Sequence, residues 1–299
     1  MSNPRFGRIA SMGLMAVTTV IVIATSVAAL GAYGGGAITA VCGPGRYLNK
    51  VFTDVTGTTD ILYSTVDDTY GTHQLHLDVY EPTGDVLPAR PTIVWVHGGS
   101  FKTGTKTQLA FFAREYALRG YVSVAISYRL LRAFDPNVTF PVAAAAAQSD
   151  AQAAIRYLRL NAARWRLDTA RFAIAGYSAG SITSFYVGYR YEQVGDNRSN
   201  YPGPSHRVSL VYSIDGIPDV VDEVVAGDPP FVVSRSGIGG NDEDPVVLHR
   251  LRARADALGI ASEVHIIQGA QHADMIVPPY NAQIVALATQ FTCDHLVLA

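Results

Sequence analysis

The chain has 299 residues, 48% of them hydrophobic and 16% charged, which is enough apolar material for one sizeable core. A formal net charge of −2 and the lack of a basic run exclude an electrostatic case for nucleic-acid binding. The two cysteines, Cys42 and Cys293, lie far apart and no "HExxH" or "CxxC" is present, which excludes a zinc cluster or a redox pair; no metal is expected.

Residues 1–41 follow a different pattern from the rest. "MSNPRFGR" carries Arg5 and Arg8 and no acid, and "IASMGLMAVTTVIVIATSVAAL" then runs without a charge. A positive start before an apolar run is the pattern of an export signal, with cleavage positions offered by Ala28, Ala29, Ala37 and Ala40. The run is also nearly long enough to span a bilayer, so a retained membrane anchor, with the rest of the chain outside, is the alternative. "ITAVC" does not read as a lipoprotein site, because Val41 is too bulky before the cysteine. Export would carry Cys42 and Cys293 into an oxidising compartment, where pairing is expected; two unpaired buried thiols are the alternative. Residues 42–299 show no composition break and are read as one domain.

"TTDILYS" and "HQLHLDVYEP" alternate as an antiparallel hairpin would. "RPTIVWVHGG" is a continuous apolar run, the mark of a strand buried on both faces. "TQLAFFAREYALRG" has helical spacing and stops at Gly120; "YVSVAISYR" is a second buried strand. "DAQAAIRYLRLNAARW" reads as a helix starting at Asp150, and "RFAIAGYS" as the strand after it. "HRVSLVYSIDG", "PPFVVSRSG" and "ASEVHIIQG" add further strands; "DPVVLHRLRARADALG" and "YNAQIVALATQFTCDHL" are the remaining helices. Strands alternating with helices predict an α/β fold, a mostly parallel sheet covered on both faces.

In such a sheet, reactive groups gather beyond the carboxyl ends of the strands. "GYSAG" sets Ser178 between Gly176 and Gly180 on a strand-turn-helix, which pushes its hydroxyl to the top of the sheet. The loop His97-Gly98-Gly99-Ser100 offers backbone N–H groups that can converge on a developing oxyanion. Its continuation "GSFKTGTKT" is not a phosphate-binding loop, because Thr105 separates Gly104 from Lys106. Among the eight histidines, His76 and His265 sit in strand alternation, where packing accounts for them. His272 follows a strand, precedes the last helix and lies downstream of Ser178, where the order serine, acid, histidine requires the base.

With "VWVHGGSF", "GYVSVAISYRL", "FPVAAAAAQSDAQAAIRYLRLNAARWRLDTARFAIAGYSAG" and "QGAQHA" in this order, the chain resembles the α/β-hydrolase fold serine esterases from about Leu75 to its end. The likeness is strongest to bacterial carboxylesterases of the hormone-sensitive-lipase and feruloyl-esterase-like kind. It departs from them at Ser100, where a third glycine is usual, and in lacking "LAP" after "YR". The resemblance implies a carboxylic-ester hydrolase working through an acyl-enzyme without metal or cofactor. Ser178 is then the nucleophile, His272 its base, and backbone N–H groups of Gly98, Gly99, Ser100 and Ala179 the oxyanion donors. The acid is expected in "GIGGNDEDPVV": Asp242, whose spacing to His272 is closer to the family's, with Asp244 as the alternative. Asp244 before Pro245 also reads as an ordinary helix start.

Neither "IPDVVDEVVAGDPP" nor "YRYEQVGDNRSNYPGPSHR" has room for a large cap domain. An uncovered site favours accessible small-molecule or polymer-linked esters over long lipids. Membrane partnership is expected only if the leader is retained. An exported acyltransferase with the same triad, or a non-catalytic binding protein on this scaffold, are the competing readings.

Overall fold

A long antiparallel hairpin, β1 (Val55–Asp68) and β2 (Gly71–Pro82), opens the sheet. The computed structural model describes residues 42, 44–193, 195, 197, 200–218, 220–238 and 245–298; the expected leader and the acid candidates Asp242 and Asp244 lie outside the described residues. After the hairpin come β3 (Arg90–Val96), α1 (Ala110–Ala117), β4 (Val122–Ile126), α2 (Leu131–Phe134), α3 (Phe140–Leu160), α4 (Ala162–Trp165) and β5 (Leu167–Tyr177). The chain continues with α5 (Ala179–Tyr189), β6 (Leu210–Ile214), β7 (Phe231–Ser236), α6 (Pro245–Leu258), β8 (Ser262–Ile267) and α7 (Tyr280–Leu296). The strands form one sheet in the order β1-β2-β4-β3-β5-β6-β7-β8. Only β1–β2 and β2–β4 are antiparallel; every pairing from β4 across to β8 is parallel, as expected.

The period-2 alternation of the central strands divides the core in two. Ile93 and Trp95 of β3 pack with Phe112 and Tyr116 of α1 and Ile284 and Ala288 of α7. Val94 and Val96 point the other way, toward Ala147, Ala151 and Leu158 of α3, Phe185 of α5 and Leu251 of α6. All seven residues of β3 are buried, which is why it reads as an unbroken apolar run rather than an alternating one.

The helix expected to begin at Asp150 begins at Phe140, with Pro141 in its first turn. The run Ala143–Ala147 has the highest helix propensity of any residue type and carries the helix upstream. Asp150 is therefore not a helix cap. It lies mid-helix with no exposure and accepts from the backbone N–H of Arg129 at 2.8 Å, from the Arg129 guanidinium at 3.0 Å and from Asn197 Nδ2 at 3.0 Å. Burial raises the Asp150 carboxyl against these bonds. This pair ties α3 to the loop that leaves the carboxyl end of β4.

Cys42 and Cys293 are joined in a disulfide, their Cα atoms 6.0 Å apart, and the Cys42 N–H donates to Asp294 at 2.8 Å. The chain ahead of β1 is thereby held to α7. The segment after α5 is tied to β1, with Asn200 Nδ2 donating to Ser64 Oγ at 2.7 Å and the Tyr201 hydroxyl to the Tyr63 carbonyl. The β6–β7 connection adds one 3-10 turn, Val221–Glu223. Among the described residues these segments build no cap domain, and no helix is long and apolar enough to cross a membrane.

Removing Asp150 takes a fully buried carboxylate away from the buried Arg129 guanidinium, which keeps Asp68 at 3.3 Å. Asp150→Ala is expected to cost about 3–5 kcal/mol in urea-unfolding free energy, whereas a variant within 1 kcal/mol of wild type, roughly the worth of a surface pair, would show that the pair is dispensable.

Candidate active site

The carboxyl ends of β5, β6 and β7 meet at one point. Ser178 follows β5 and has φ 55° and ψ −119°, a conformation costly for a residue with a side chain. Its glycine neighbours allow the turn to pack: a Cβ on Gly176 would lie 2.1 Å from the Gly180 carbonyl oxygen, and one on Gly180 would lie 2.0 Å from that of Val96. The Ser178 N–H donates to the Ile214 carbonyl at 2.9 Å, carrying the β5–β6 ladder one residue past the strand. The Ser181 hydroxyl donates to the Gly176 carbonyl at 2.6 Å, lies 2.9 Å from the Ile214 carbonyl and accepts from the Ile214 N–H at 3.0 Å, clamping the turn from below.

His272 opens the 3-10 turn His272–Ile276 after β8, in a capping box formed by Gln271 and Asp274. Its Nε2 lies 2.9 Å from Ser178 Oγ and its Nδ1 2.7 Å from Asp215 Oδ2. Ser178 and His272 are partly exposed, while the Asp215 side chain is fully buried. Asp215 directly follows β6 and has φ 54°. Its Oδ1 accepts from the Ser236 N–H at 2.9 Å and the Ser236 hydroxyl at 3.1 Å. Burial works to raise this carboxyl, but the bonds from His272 and Ser236 outweigh it and hold it below the usual carboxylate range.

The structure brings the expected Ser178 and His272 together but gives the acid position to Asp215. Asp242 and Asp244, expected there from the sequence, lie outside the described residues, and the Nδ1 hydrogen is directed at Asp215. Asp215 had a sequence signal of its own: it ends the buried strand "LVYSI" and precedes a glycine, the same strand-end setting that singled out His97 and His272.

The loop after β3 lies against Ser178, since a Cβ on Gly98 would come within 3.1 Å of Ser178 Cβ. Tyr128 holds it: the hydroxyl donates to the His97 carbonyl at 3.0 Å and the two rings stack with centroids 4.2 Å apart. His97 Nδ1 donates to the Gly98 carbonyl at 2.8 Å, and burial pushes this imidazole down to about 4, so it stays neutral. Of the expected oxyanion donors, Gly98 is not available, because its N–H donates to Gln108 Oε1 at 2.7 Å. The N–H groups of Gly99, Ser100 and Ala179 make no hydrogen bond among the described residues. Among those residues no cluster of three or more His, Cys, Asp or Glu side chains could hold a metal ion. Chemically, the arrangement can move the Ser178 proton to His272 and stabilise the resulting imidazolium with Asp215.

The BD-FAE family model matches residues 77–249 of this chain. Gut esterase 1 of Caenorhabditis elegans is 32% identical over 96 residues, which is 31% of this chain and 17% of the worm protein. The Caenorhabditis briggsae protein of the same name is 32% identical over 112 residues, 20% of its length, so the chain spans about a fifth of these curated relatives. Among solved structures, the apo form of Thermogutta terrifontis esterase 2 aligns with a TM-score of 0.66 at 20% identity, covering 81% of this chain and 94% of that one. The same esterase phosphorylated by paraoxon aligns with a TM-score of 0.64 at 22% identity, covering 80% and 94%. At this identity the likeness establishes the α/β-hydrolase fold.

Asp215→Asn is expected to slow modification of Ser178 by a fluorophosphonate, read by mass spectrometry, about 10⁴-fold, with Asp242→Asn and Asp244→Asn near wild type. The opposite pattern would return the acid to the β7 loop. For His97, the unfolded imidazole binds a proton near 6.5 and the folded one only near 4. Stability is therefore full above about pH 6.5 and falls on acidification toward pH 4, at up to about 1.4 kcal/mol per pH unit. Urea midpoints measured across this range should show a flatter slope in His97→Gln.

Proposed function

Because the chain belongs to the BD-FAE family, we propose that it is a serine carboxylesterase working through an acyl-enzyme. The observation that carries this reading is the continuous path Ser178 Oγ, His272 Nε2, His272 Nδ1, Asp215 Oδ2, with links of 2.9 and 2.7 Å. Ser178 alone is a weak nucleophile. His272 takes its proton as the oxygen attacks the ester carbonyl, and then returns it to the departing alcohol. Asp215, kept ionised by its own bonds, holds the imidazole in the tautomer with hydrogen on Nδ1 and steadies its cationic form. The N–H groups of Gly99 and Ala179, with Ser100 beside them, receive the negative charge on the tetrahedral oxygen. Water admitted to the same position then hydrolyses the acyl-enzyme, with His272 as base again.

Partial exposure of both Ser178 and His272, with no cap among the described residues, supports accessible esters with short acyl groups, free or attached to a polymer. Structures of Thermogutta terrifontis esterase 2 with butyrate and with propionate bound support the same acyl size. Export is supported by the Arg5 and Arg8 start before an apolar run and by the Cys42–Cys293 disulfide, a bond that persists in oxidising compartments.

A series of nitrophenyl esters from acetate to decanoate tests the reading. The purified protein is expected to hydrolyse the short members fastest, and Ser178→Ala to lose about 10⁶ in turnover while keeping its thermal midpoint. A folded Ser178→Ala variant retaining more than about a per cent of wild-type turnover would remove Ser178 as the nucleophile, since triad knockouts fall far below that level.

A further inference from the structure

The mechanism above uses the two edges of the His272 imidazole and leaves its faces unassigned. Bonds at Nδ1 and Nε2 fix where the ring lies, but both are in its plane. They leave it free to rock about the line that joins the two nitrogens. One face is covered. Tyr177, the last residue of β5, stacks on it with ring centroids 5.0 Å apart and the planes 26° from parallel. The Tyr177 hydroxyl continues past the ring and donates to the backbone carbonyl of His272 at 3.0 Å. A single side chain therefore touches the histidine at its ring and at its main chain.

Core packing alone does not account for this arrangement. On the same face of β5, Ala173 and Ala175 precede Tyr177 in the α1/α7 core, so the strand changes from two small residues to a large one only at the site. The loop opposite is shaped to admit the ring, since a Cβ on Gly98 would lie 2.7 Å from Tyr177 Cδ1. Tyr177 thus fills the space between the His97-Gly98-Gly99 loop and the imidazole. When His272 gains the Ser178 proton, the negative face of an aromatic ring beside it attracts the new cation.

We propose that Tyr177 is a positioning residue of this site: its ring keeps the imidazole from tilting and stabilises the imidazolium, and its hydroxyl anchors the His272 main chain. The proposal rests on Ser178 and His272 acting as nucleophile and base. The titratable groups around the imidazole are Asp215 from the end of β6, Tyr177 from β5 and Asp274 on the turn that carries His272. The phenol itself is pushed up to about 12, chiefly by burial and then by Asp215 and Asp274, so it remains a donor throughout the working range.

The test measures kcat and KM for a short-chain nitrophenyl ester across pH, with turnover expressed per reactive serine by fluorophosphonate titration. Tyr177→Phe keeps the ring and loses the hydroxyl; turnover per site is expected to fall by about three- to tenfold, the worth of one hydrogen bond, with the acid-limb midpoint of kcat/KM unchanged. Tyr177→Leu loses both; turnover is expected to fall by roughly 10- to 100-fold with KM little changed. Its midpoint should move down by about half to one pH unit, because the cationic imidazole has lost its aromatic face. A merely structural role would reduce the number of reactive sites and leave turnover per site and the midpoint where they were, and that result in Tyr177→Leu overturns the proposal. Should Tyr177→Leu not fold, wild-type turnover per site in Tyr177→Phe overturns it. Activity surviving in Ser178→Ala would overturn the underlying triad, a failure distinct from Tyr177 variants that behave as wild type while Ser178→Ala is dead.

Discussion

Two backbone hydrogen bonds past the ends of the strands set the positions of Ser178 and Asp215, on which the rest of the site is built. The Ser178 N–H donates to the Ile214 carbonyl at 2.9 Å and the Asp215 N–H to the Ser234 carbonyl at 2.8 Å. Both continue the parallel ladders β5–β6 and β6–β7 by one residue, in register with the pairs Tyr177↔Ile214 and Ile214↔Ser234. Both donors are then turned into positive φ, 55° at Ser178 and 54° at Asp215. Each such conformation costs about 1–3 kcal/mol and persists only where its surroundings over-determine it. Here the surroundings are the fully buried strand β6, the buried carboxyl end of β5, and the Ser181 hydroxyl, which meets the carbonyls of both strands.

The same sheet end handles two buried carboxylates in opposite ways. Asp150 and Asp215 both lie within the protein, yet burial prevails at Asp150 and raises it, while hydrogen bonds prevail at Asp215 and lower it. Asp150 binds Arg129, which also meets Asp68 at 3.3 Å, and so fixes a loop. Asp215 faces the His272 imidazole, which alternates between neutral and charged in the mechanism we propose and needs an ionised acid beside it. The bond from His272 and then two donors from Ser236 hold the carboxyl down.

The legible part of the sequence was whatever rests on local chemistry. Buried parallel strands showed as unbroken apolar runs, and "GYSAG" and "QGAQHA" could be placed because strand, turn and helix surround Ser178 and a strand end precedes His272. What was not legible depends on contacts between distant residues. Asp150 resembles a helix start until Arg129, 21 residues away, is seen to bind it. Gly98 resembles an oxyanion donor until Gln108 takes its N–H. Asp242 and Asp244 draw attention because they lie in a Gly-rich loop at a family-like spacing from His272, whereas an acid at a strand end such as Asp215 is marked only by what lies beside it in the sheet.

The position of Asp215 also gives the neighbouring strand its role. β6 and β7 are adjacent and parallel, so their ends lie side by side, and an acid reaching His272 could be carried by either. With the carboxylate on β6, the end of β7 supplies Ser236, whose N–H and hydroxyl both meet Asp215 Oδ1 and leave Oδ2 for the imidazole. The burial of a full charge is thus shared by two strand ends: one holds the carboxylate and the other solvates it. A side chain that solvates an acid must be small and a donor. The serine at the last position of β7, a strand that begins with the buried Phe231, Val232 and Val233, fits that need.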